Sequence, residues 1–336
     1  MPAIALLTFD IEFSIGGAFA DRKLKPVGLD FVTCPVRAKN GEVTLHGLPW
    51  VLDCLTQHDV KATFFVEALH RQAFADDPMA AVAQELHRRG HEVQLHLHPA
   101  WLVFDDPNWA SQALPKTWPD SIHDLSQAEF EALIRRGQAS FAAWGIPPAT
   151  ALRTGSLEYS PAVYRAAKAC GLTACSNMGQ ALWQHPDQAM TAMHRHDGIH
   201  LIEGVLEYPV SCFEDFALGH KKHHKIATIQ GSSAAELLHL GERLHHERQT
   251  HLLILSHAFE YVIGFDAQMQ GAKPHGRNQE KLHALLRHSK QRHWQWKTLS
   301  QLPTQADPTV HSPIKSNRRH SLMRMLANRA YEYRMA

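Results

Sequence analysis

Cysteine is scarce in this sequence, and its spacing argues against two kinds of chemistry. There are five cysteines among 336 residues, an odd number with no Cys-x-x-Cys pair. This spacing predicts neither a disulfide framework nor a zinc-thiolate site. It favours a protein of a reducing compartment.

Charge of one sign and long apolar runs are also missing. The formal net charge is +1, which gives no indication of nucleic acid as a general partner. No run of about 20 apolar residues is present, so no membrane-spanning helix is predicted. The N-terminus has no basic segment and reaches Asp10 at the end of an apolar run, which is typical of a buried strand and not of a signal peptide. We therefore expect a cytoplasmic protein.

Short apolar runs alternate with amphipathic segments along most of the chain, and the 44% hydrophobic content is enough for a substantial core. Such runs are typical of strands that a parallel sheet buries on both faces. With seven or eight strand–helix units, the sequence predicts an α/β fold, a closed or distorted (β/α)7–8 barrel over residues 1–302, in preference to an open sheet. Strands are predicted at 4–9, 62–66, 93–96, 149–153, 172–176, 205–210, 225–229, 252–256 and 293–299, and helices at 80–89, 126–144, 161–171, 233–249 and 278–290.

Polar side chains stand at the carboxyl ends of four of these predicted strands. In parallel β/α barrels this rim is where active sites are assembled, because the strand ends converge there. Histidines and acids scattered at random would not be expected to align with strand ends in this way. The residues are Asp10, Glu12, His96, His98, Arg153 and His257.

His96 and His98 form a His-x-His pair at the end of the third strand. Residues i and i+2 of a strand point to one face, so the two imidazoles could bind one metal ion, usually zinc. The pair alone is weak support for a metal site. With 26 histidines in 336 residues, about two such pairs are expected by chance, and two occur, the other at His194 and His196.

Five motifs taken together resemble those of the polysaccharide deacetylase family, which includes chitin and peptidoglycan deacetylases. They are Thr8-Phe9-Asp10, Ala62-Thr63-Phe64-Phe65-Val66, Gly90-His91-Glu92-Val93 with His96, Arg153-Thr154-Gly155-Ser156 and Leu255-Ser256-His257. The resemblance covers roughly residues 3–300. It implies a distorted (β/α) barrel, a divalent metal, and hydrolysis of an N-acetyl group from an amino sugar.

Two departures from the family's usual pattern lead to a specific assignment of metal ligands. Ile11 stands where the family has a second aspartate, and Ala100 stands where it has a second histidine. Alternation along a strand brings Glu12 onto the face of the first aspartate, and it brings His98 onto the face of His96. We therefore assign these three residues as ligands of a Zn²⁺ ion, with one position open for water. The alternative for Glu12 is that its carboxylate lines the loop and only accepts hydrogen bonds, without binding a metal.

The resemblance implies that Asp10 is the general base, and the Arg153 guanidinium would hold it ionised and oriented. His257 follows the most buried strand and is assigned as the general acid that protonates the departing amine. The alternative for Arg153 is an ordinary salt bridge at the rim. The alternative for His257 is a core histidine whose ring nitrogens are hydrogen-bonded and take no part in a reaction. Glu207, at a strand end, and Trp101, in the long loop after the third strand, are predicted to contact substrate. Packing of the loop accounts for Trp101 equally well.

The predicted function is metal-dependent removal of an N-acetyl group from an amino sugar in a polysaccharide or a cell-surface glycan precursor. A metal amidohydrolase that acts on a small amide would use the same residues with a tighter pocket. A non-catalytic glycan- or metal-binding protein would explain the abundance of histidine. It would not explain why acid, base and ligands share the strand ends, so an enzyme is favoured.

The segment 303–336 is predicted to be a basic C-terminal tail. Its part Ser312–Ala336 carries six Lys/Arg against one Glu. Four apolar residues recur there at roughly helical spacing: Leu322, Met325, Leu326 and Tyr333. A basic amphipathic helix can rest on an anionic membrane surface, which would be a peripheral membrane contact. A disordered, solvated tail is the alternative.

Overall fold

The computed structural model describes residues 2–112, 120–122, 125–179, 198–218, 221–307 and 313–335. Within these ranges, nine strands form the central sheet. Adjacent strands are parallel, except for the pair at residues 200–202 and 205–207, which is antiparallel. The hydrogen-bonded order is β12 (Leu252–His257), β1 (Ile4–Ile11), β4 (Thr63–Glu67), β5 (Glu92–Leu97), β6 (Ala151–Thr154), β7 (Ala174–Cys175), β9 (Val205–Glu207) and β8 (His200–Ile202), with β15 (Gln295–Trp296) also paired to β1.

Smaller sheets of two or three strands accompany the central sheet. They are β2 (Pro35–Arg37) with β3 (Val43–Leu45), β13 (Val262–Ile263) with β14 (Lys273–Pro274), and the group β11 (Lys221–Ile226), β10 (Cys212–Leu218) and β16 (Ile314–Lys315). The strand predicted at 225–229 is therefore divided. Its first residues belong to β11, while Thr228 forms a single bridge with Leu255 of β12.

Helices cover the outer face of the sheet, and their first residues are well capped. Ser126 and Ser233 each form a capping box with the glutamate three residues later, which fixes where the helices that follow them begin. The helix predicted to run to 249 ends at Arg243, and Arg248 adopts a left-handed φ of 57°. The helices are α1 (Leu29–Thr33), α2 (Leu48–His58), α3 (Met79–Arg88), α4 (Gln127–Ala143), α5 (Pro161–Ala169), α6 (Ala234–Arg243), α7 (Gly276–Gln291) and α8 (Arg318–Met335).

At its β12 edge the sheet is bonded to single residues just before β10 and just after β11, and not to the opposite edge, β8, among the residues described. Alternate residues of neighbouring strands, such as Leu6, Phe65 and Leu253, form an inner apolar cluster. No continuous ladder closes the sheet among the residues described. Instead, Ser211 N donates to Leu253 O at 3.1 Å and Leu255 N donates to Ala227 O at 2.9 Å. The predicted α/β fold of the distorted barrel type is confirmed, with its irregularity located between β9 and β12.

Strand register places the predicted functional residues side by side. Asp10 lies opposite His257 of β12, and His96 lies opposite Arg153 of β6 on one side and Glu67 of β4 on the other. Because the strands are parallel, their carboxyl ends meet at the same rim. The pairing of the strands therefore brings these residues together at one rim.

The chain beyond residue 302 packs on the barrel. Tyr208 donates its hydroxyl hydrogen to the Pro303 carbonyl oxygen at 2.9 Å. Arg324 of α8 donates to the Asp215 carboxylate at 2.7 Å and to the Glu236 carboxylate at 3.0 Å, and all three side chains are buried. Buried charge-assisted hydrogen bonds of this kind attach α8 by its polar side.

The opposite side of α8 carries exposed apolar residues. Leu322, Met323 and Leu326 are 53%, 60% and 57% exposed. The predicted membrane contact through this segment stays a prediction. Co-sedimentation with anionic vesicles that is unchanged by Leu322→Glu would contradict it.

No described helix combines the length and the apolar character that crossing a membrane requires.

Candidate metal and catalytic site

The three predicted metal ligands meet at the rim. Glu12 directly follows β1, while His96 lies in β5 and His98 directly follows it. Glu12 Oε2 lies 2.8 Å from His98 Nε2 and 3.6 Å from His96 Nε2. One ligand atom of each residue lies within 4.8 Å of the others. Ile11 is fully buried, so alternation along β1 turns the carboxylates before and after it toward the rim.

Both imidazoles are held through Nδ1, so that Nε2 of each faces Glu12. His96 Nδ1 donates to the Arg153 carbonyl oxygen at 2.9 Å, and an oxygen of this kind can only accept. His98 Nδ1 donates to Asp120 Oδ2 at 2.6 Å, and the other oxygen of Asp120 accepts from Ala100 N at 3.0 Å. Partners on the far nitrogen orient metal-binding histidines and raise their basicity.

The electrostatics of this cluster favour a cation at its centre. Burial alone would raise the pKa of Glu12, but His98 and His96 outweigh it and hold that pKa well below its usual value. Burial alone would lower the pKa of His98, but the Glu12 and Asp120 carboxylates raise it well above its usual value. Two imidazole nitrogens and one carboxylate oxygen are a donor set that suits Zn²⁺ with one position left open. The residues present therefore fit the metal that the family resemblance implies.

Asp10 and Arg153 form a buried ion pair beside this cluster. Arg153 Nη1 donates to Asp10 Oδ1 at 2.8 Å and to Thr8 Oγ1 at 3.0 Å. The same guanidinium donates to Ser176 through Nε and Nη2 and stacks over the Phe65 ring at 4.1 Å. A side chain held by this many partners has one orientation, so the carboxylate it binds is fixed as well.

His257 completes the rim next to Asp10. Its Nε2 lies 3.8 Å from Asp10 Oδ2, and its Nδ1 donates to Glu260 Oε1 at 2.9 Å. Glu260 is held in turn by Ser256, whose hydroxyl donates to Oε2 at 2.8 Å. Burial would lower the pKa of His257, but the hydrogen bond and charge of Glu260, together with the charges of Asp10 and Glu12, raise it to about 9. His257 is therefore mainly protonated near neutral pH, as a general acid requires.

Three acidic residues of the site were missed by sequence reasoning. Asp120 lies 22 residues after His98, too far along the chain for the period of a strand or a helix to relate the two. Glu260 lies three residues after His257, a spacing that becomes meaningful only in the 3₁₀ turn that follows β12. Glu67 ends the buried strand β4 and carried the same strand-end signal as the residues that were identified.

Glu67 is a buried carboxyl group next to the histidines. Its Oε1 accepts from Leu69 N at 2.6 Å, while Oε2 has no hydrogen-bond partner in the part of the chain that the structure describes. Burial raises the pKa of Glu67, although the charges of His98 and His96 oppose that shift. Burial thus makes the charged form of this carboxyl less favourable than that of an exposed glutamate.

Glu207 ends β9, but its side chain is held in the interior. It is fully buried, and its Oε1 accepts from the backbone of Asn177 at 2.9 Å and of Met178 at 2.8 Å. Its Oε2 accepts from the Tyr164 hydroxyl at 3.0 Å. Burial raises the pKa of this carboxyl to about 7. These contacts favour a role in holding the backbone after β7 over the predicted substrate contact.

Trp101 is also turned away from the rim. Its side chain is 2% exposed, and its ring packs near those of Phe104, Phe74 and His70. A ring without exposed faces cannot stack on a sugar in this conformation. Of the two accounts that the sequence left open, the structure favours packing of the loop.

The contact between His98 and Asp120 leads to a testable prediction. We expect Asp120→Asn to lower metal affinity about 10–100-fold, because the partner that orients a ligand contributes to the affinity of the site. Metal titration of the purified protein measures this. Asp106→Asn is the matched control, since that carboxylate also lies between β5 and α4 and, among the residues described, accepts from the nearby Asn108 N and Gln112 Nε2. Equal affinities of the two variants would contradict the assignment.

Comparison with solved structures gives matches of low sequence identity. A protein of Mycobacterium smegmatis provisionally named a polysaccharide deacetylase has a TM-score of 0.48 and 14% identity, over 90% of this chain and 95% of that one. A family 4 carbohydrate esterase from Streptomyces lividans has a TM-score of 0.42 and 13% identity, over 93% and 98%. A CE4 family pseudoenzyme from Bacillus anthracis has a TM-score of 0.44 and 12% identity, over 94% and 70%. Among curated proteins, no sequence matches this chain.

Comparison with protein families gives a match that covers the middle of the chain. The family is described as polysaccharide deacetylase, and the matched residues are 34–175. This range includes the strand Thr63–Glu67, the histidine pair and Arg153, while Asp10 and His257 lie outside it. The resemblance that the motifs predict is therefore confirmed: residues 34–175 of this chain match the polysaccharide deacetylase family.

Proposed function

We propose that this protein is a metal-dependent hydrolase that removes an N-acetyl group from an amino sugar. One observation carries the proposal, namely the convergence of a three-ligand cluster, a buried carboxylate–guanidinium pair and the His257 imidazole on one barrel rim. Acid, base and metal ligands within contact of one another are the parts that amide hydrolysis needs. The family match supports carbohydrate deacetylation as the general activity.

Asp10 is the general base in this proposal. Arg153 binds its Oδ1, so the carboxylate is held in place while Oδ2 faces His257 and the rim. From that position Oδ2 takes a proton from the attacking water. A divalent metal held by Glu12, His96 and His98 would polarise the amide carbonyl and lower the pKa of water.

His257 is the general acid. Glu260 binds its Nδ1 and leaves the Nε2 proton directed toward the space beside Asp10. As the C–N bond breaks, this proton passes to the departing nitrogen, which leaves as the free amine of the sugar while acetate remains. The proton taken up by Asp10 and the one lost by His257 balance over the cycle.

The finer parts of the proposal concern the metal, the substrate and the location. The nitrogen and oxygen donors favour Zn²⁺ among divalent metals. The substrate is an N-acetylated polysaccharide or a precursor of a cell-surface glycan, processed in the cytoplasm. Such a precursor is proposed because the sequence has the cysteine usage of a reducing compartment.

Acetate release tests the proposal. Purified protein is incubated with chitin oligosaccharides, peptidoglycan fragments, nucleotide-linked N-acetylamino sugars and small acyl amides, and its metal content is measured on the same preparation. We expect acetate from at least one glycan and none from His96→Gln. Acetate from the small amides alone would favour the amidohydrolase. Bound metal with no acetate from any compound would favour a non-catalytic binding protein.

A further inference from the structure

A second group of potential ligands lies away from the rim, in the helical layer. Cys54 and His58 are one turn apart on α2, so their side chains share a face of that helix. His283 projects from α7, which packs beside α2. We call these three residues the outer cluster. One ligand atom of each lies within 4.8 Å of the others.

The donor atoms are already spaced as ligands of one ion. His58 Nε2 lies 3.2 Å from His283 Nδ1, and Cys54 Sγ lies 3.4 Å from the same nitrogen. In a tetrahedral zinc site, bond lengths near 2.0 Å to nitrogen and 2.3 Å to sulfur separate two nitrogens by about 3.3 Å, and nitrogen from sulfur by about 3.5 Å. Two of the three separations in the outer cluster therefore already match such a site, and the third, from Cys54 Sγ to His58 Nε2, is within 4.8 Å.

Hydrogen bonding alone accounts poorly for this arrangement. Both short contacts converge on His283 Nδ1, a single atom that carries either one hydrogen or one lone pair. As an acceptor it can satisfy one neighbour fully, and as a donor it must divide one hydrogen between two. A metal ion placed among the three residues would use the lone pairs of all of them at once.

The surroundings suit a thiophilic ion with one exchangeable position. Cys54 is buried, whereas His58 and His283 are half-buried, so the cluster is open on its imidazole side. The Trp50 ring meets the His283 ring edge-on at 5.4 Å and covers one flank.

We propose that the outer cluster binds a zinc ion that joins α2 to α7, separately from the catalytic metal. Cysteine spacing predicted no zinc–thiolate site, since the three residues are spread over 229 positions of the sequence. In the folded chain these three residues nevertheless lie next to one another. An ion that binds the folded chain and not the unfolded one stabilises the fold by mass action, so this zinc is structural.

Cobalt titration tests the proposal without interference from the rim. Co²⁺ bound through a thiolate gives a sulfur-to-metal charge-transfer absorption, and the three ligands at the rim contain no sulfur. We expect one equivalent of this absorption in metal-free wild-type protein, and zinc should abolish it. Cys54→Ser should remove it, while Cys170→Ser, which changes a half-buried cysteine at the end of α5, should keep it.

Two further variants keep the test decisive if Cys54→Ser does not fold. His58→Gln and His283→Gln alter half-buried side chains and should weaken cobalt binding at least about 10-fold, which is about 1.4 kcal/mol. In a His96→Gln background, zinc should still raise the melting temperature, and each outer-cluster substitution should cancel that rise. A folded wild type without thiolate absorption would overturn the proposal, and so would absorption that survives His283→Gln unchanged. Neither result bears on acetate release.

Discussion

Asp10→Asn is expected to reduce kcat about 10²–10⁴-fold while the metal content stays near that of the wild type. The substitution keeps the shape of the side chain and removes its ability to accept a proton. Asp10 binds Arg153 and faces His257, and it is absent from the cluster of potential ligands, which is why we propose that its charge serves the reaction and not metal binding. Turnover with the best glycan substrate and elemental analysis of the same protein measure the two quantities.

Glu12→Gln is the matched comparison, because it makes the same chemical change two residues away. Its Oε2 faces the Nε2 atoms of His98 and His96, so loss of the negative charge should weaken metal binding. Added metal should then partly restore activity, which it cannot do for Asp10→Asn. The reverse pattern, with metal lost in Asp10→Asn and activity kept in Glu12→Gln, would move ligation to Asp10 and leave the base unassigned.

His257→Ala is expected to retain the metal and lose about 10²–10⁴-fold in kcat, since a general acid is removed. The pH–rate profile gives a second readout. Protonated His257 is the active form, so activity should fall as pH rises through its pKa. That pKa is about 9 with Glu12 contributing to the shift, and a bound cation offsets the Glu12 charge. The basic limb should therefore lie between 6.5, the ordinary histidine value, and about 9.

Glu260→Gln separates the role of His257 from a general loss of structure. Glutamine keeps a group within reach of Nδ1 but carries no charge, and the Glu260 contacts are the largest of those that raise the pKa of His257. The basic limb should move to lower pH in this variant, with metal content unchanged. A limb at the wild-type position in Glu260→Gln, together with full activity of His257→Ala, would remove His257 from the mechanism.

The sequence by itself determined where the main strands lie and which side chains end them. A strand buried on both faces needs an uninterrupted apolar run, so the strands predicted at 4–9, 62–66 and 252–256 correspond to Ile4–Ile11, Thr63–Glu67 and Leu252–His257. Alternation with a period of two also determined that Glu12 turns to the face of Asp10. Both signals are local, and the parallel order of the strands then brings their ends together.

Only the tertiary structure decided which partners each of these side chains meets. Asp120 meets His98 at a sequence separation of 22, and His283 meets Cys54 at a separation of 229, distances along the chain at which no periodic signal survives. Glu207 stands at a strand end like the other acids, but the path of the chain after β7 supplies backbone donors that hold it in the interior. The period of a strand or helix is a property of neighbouring residues, whereas the path of a loop and the packing of helices minimise the free energy of the whole chain.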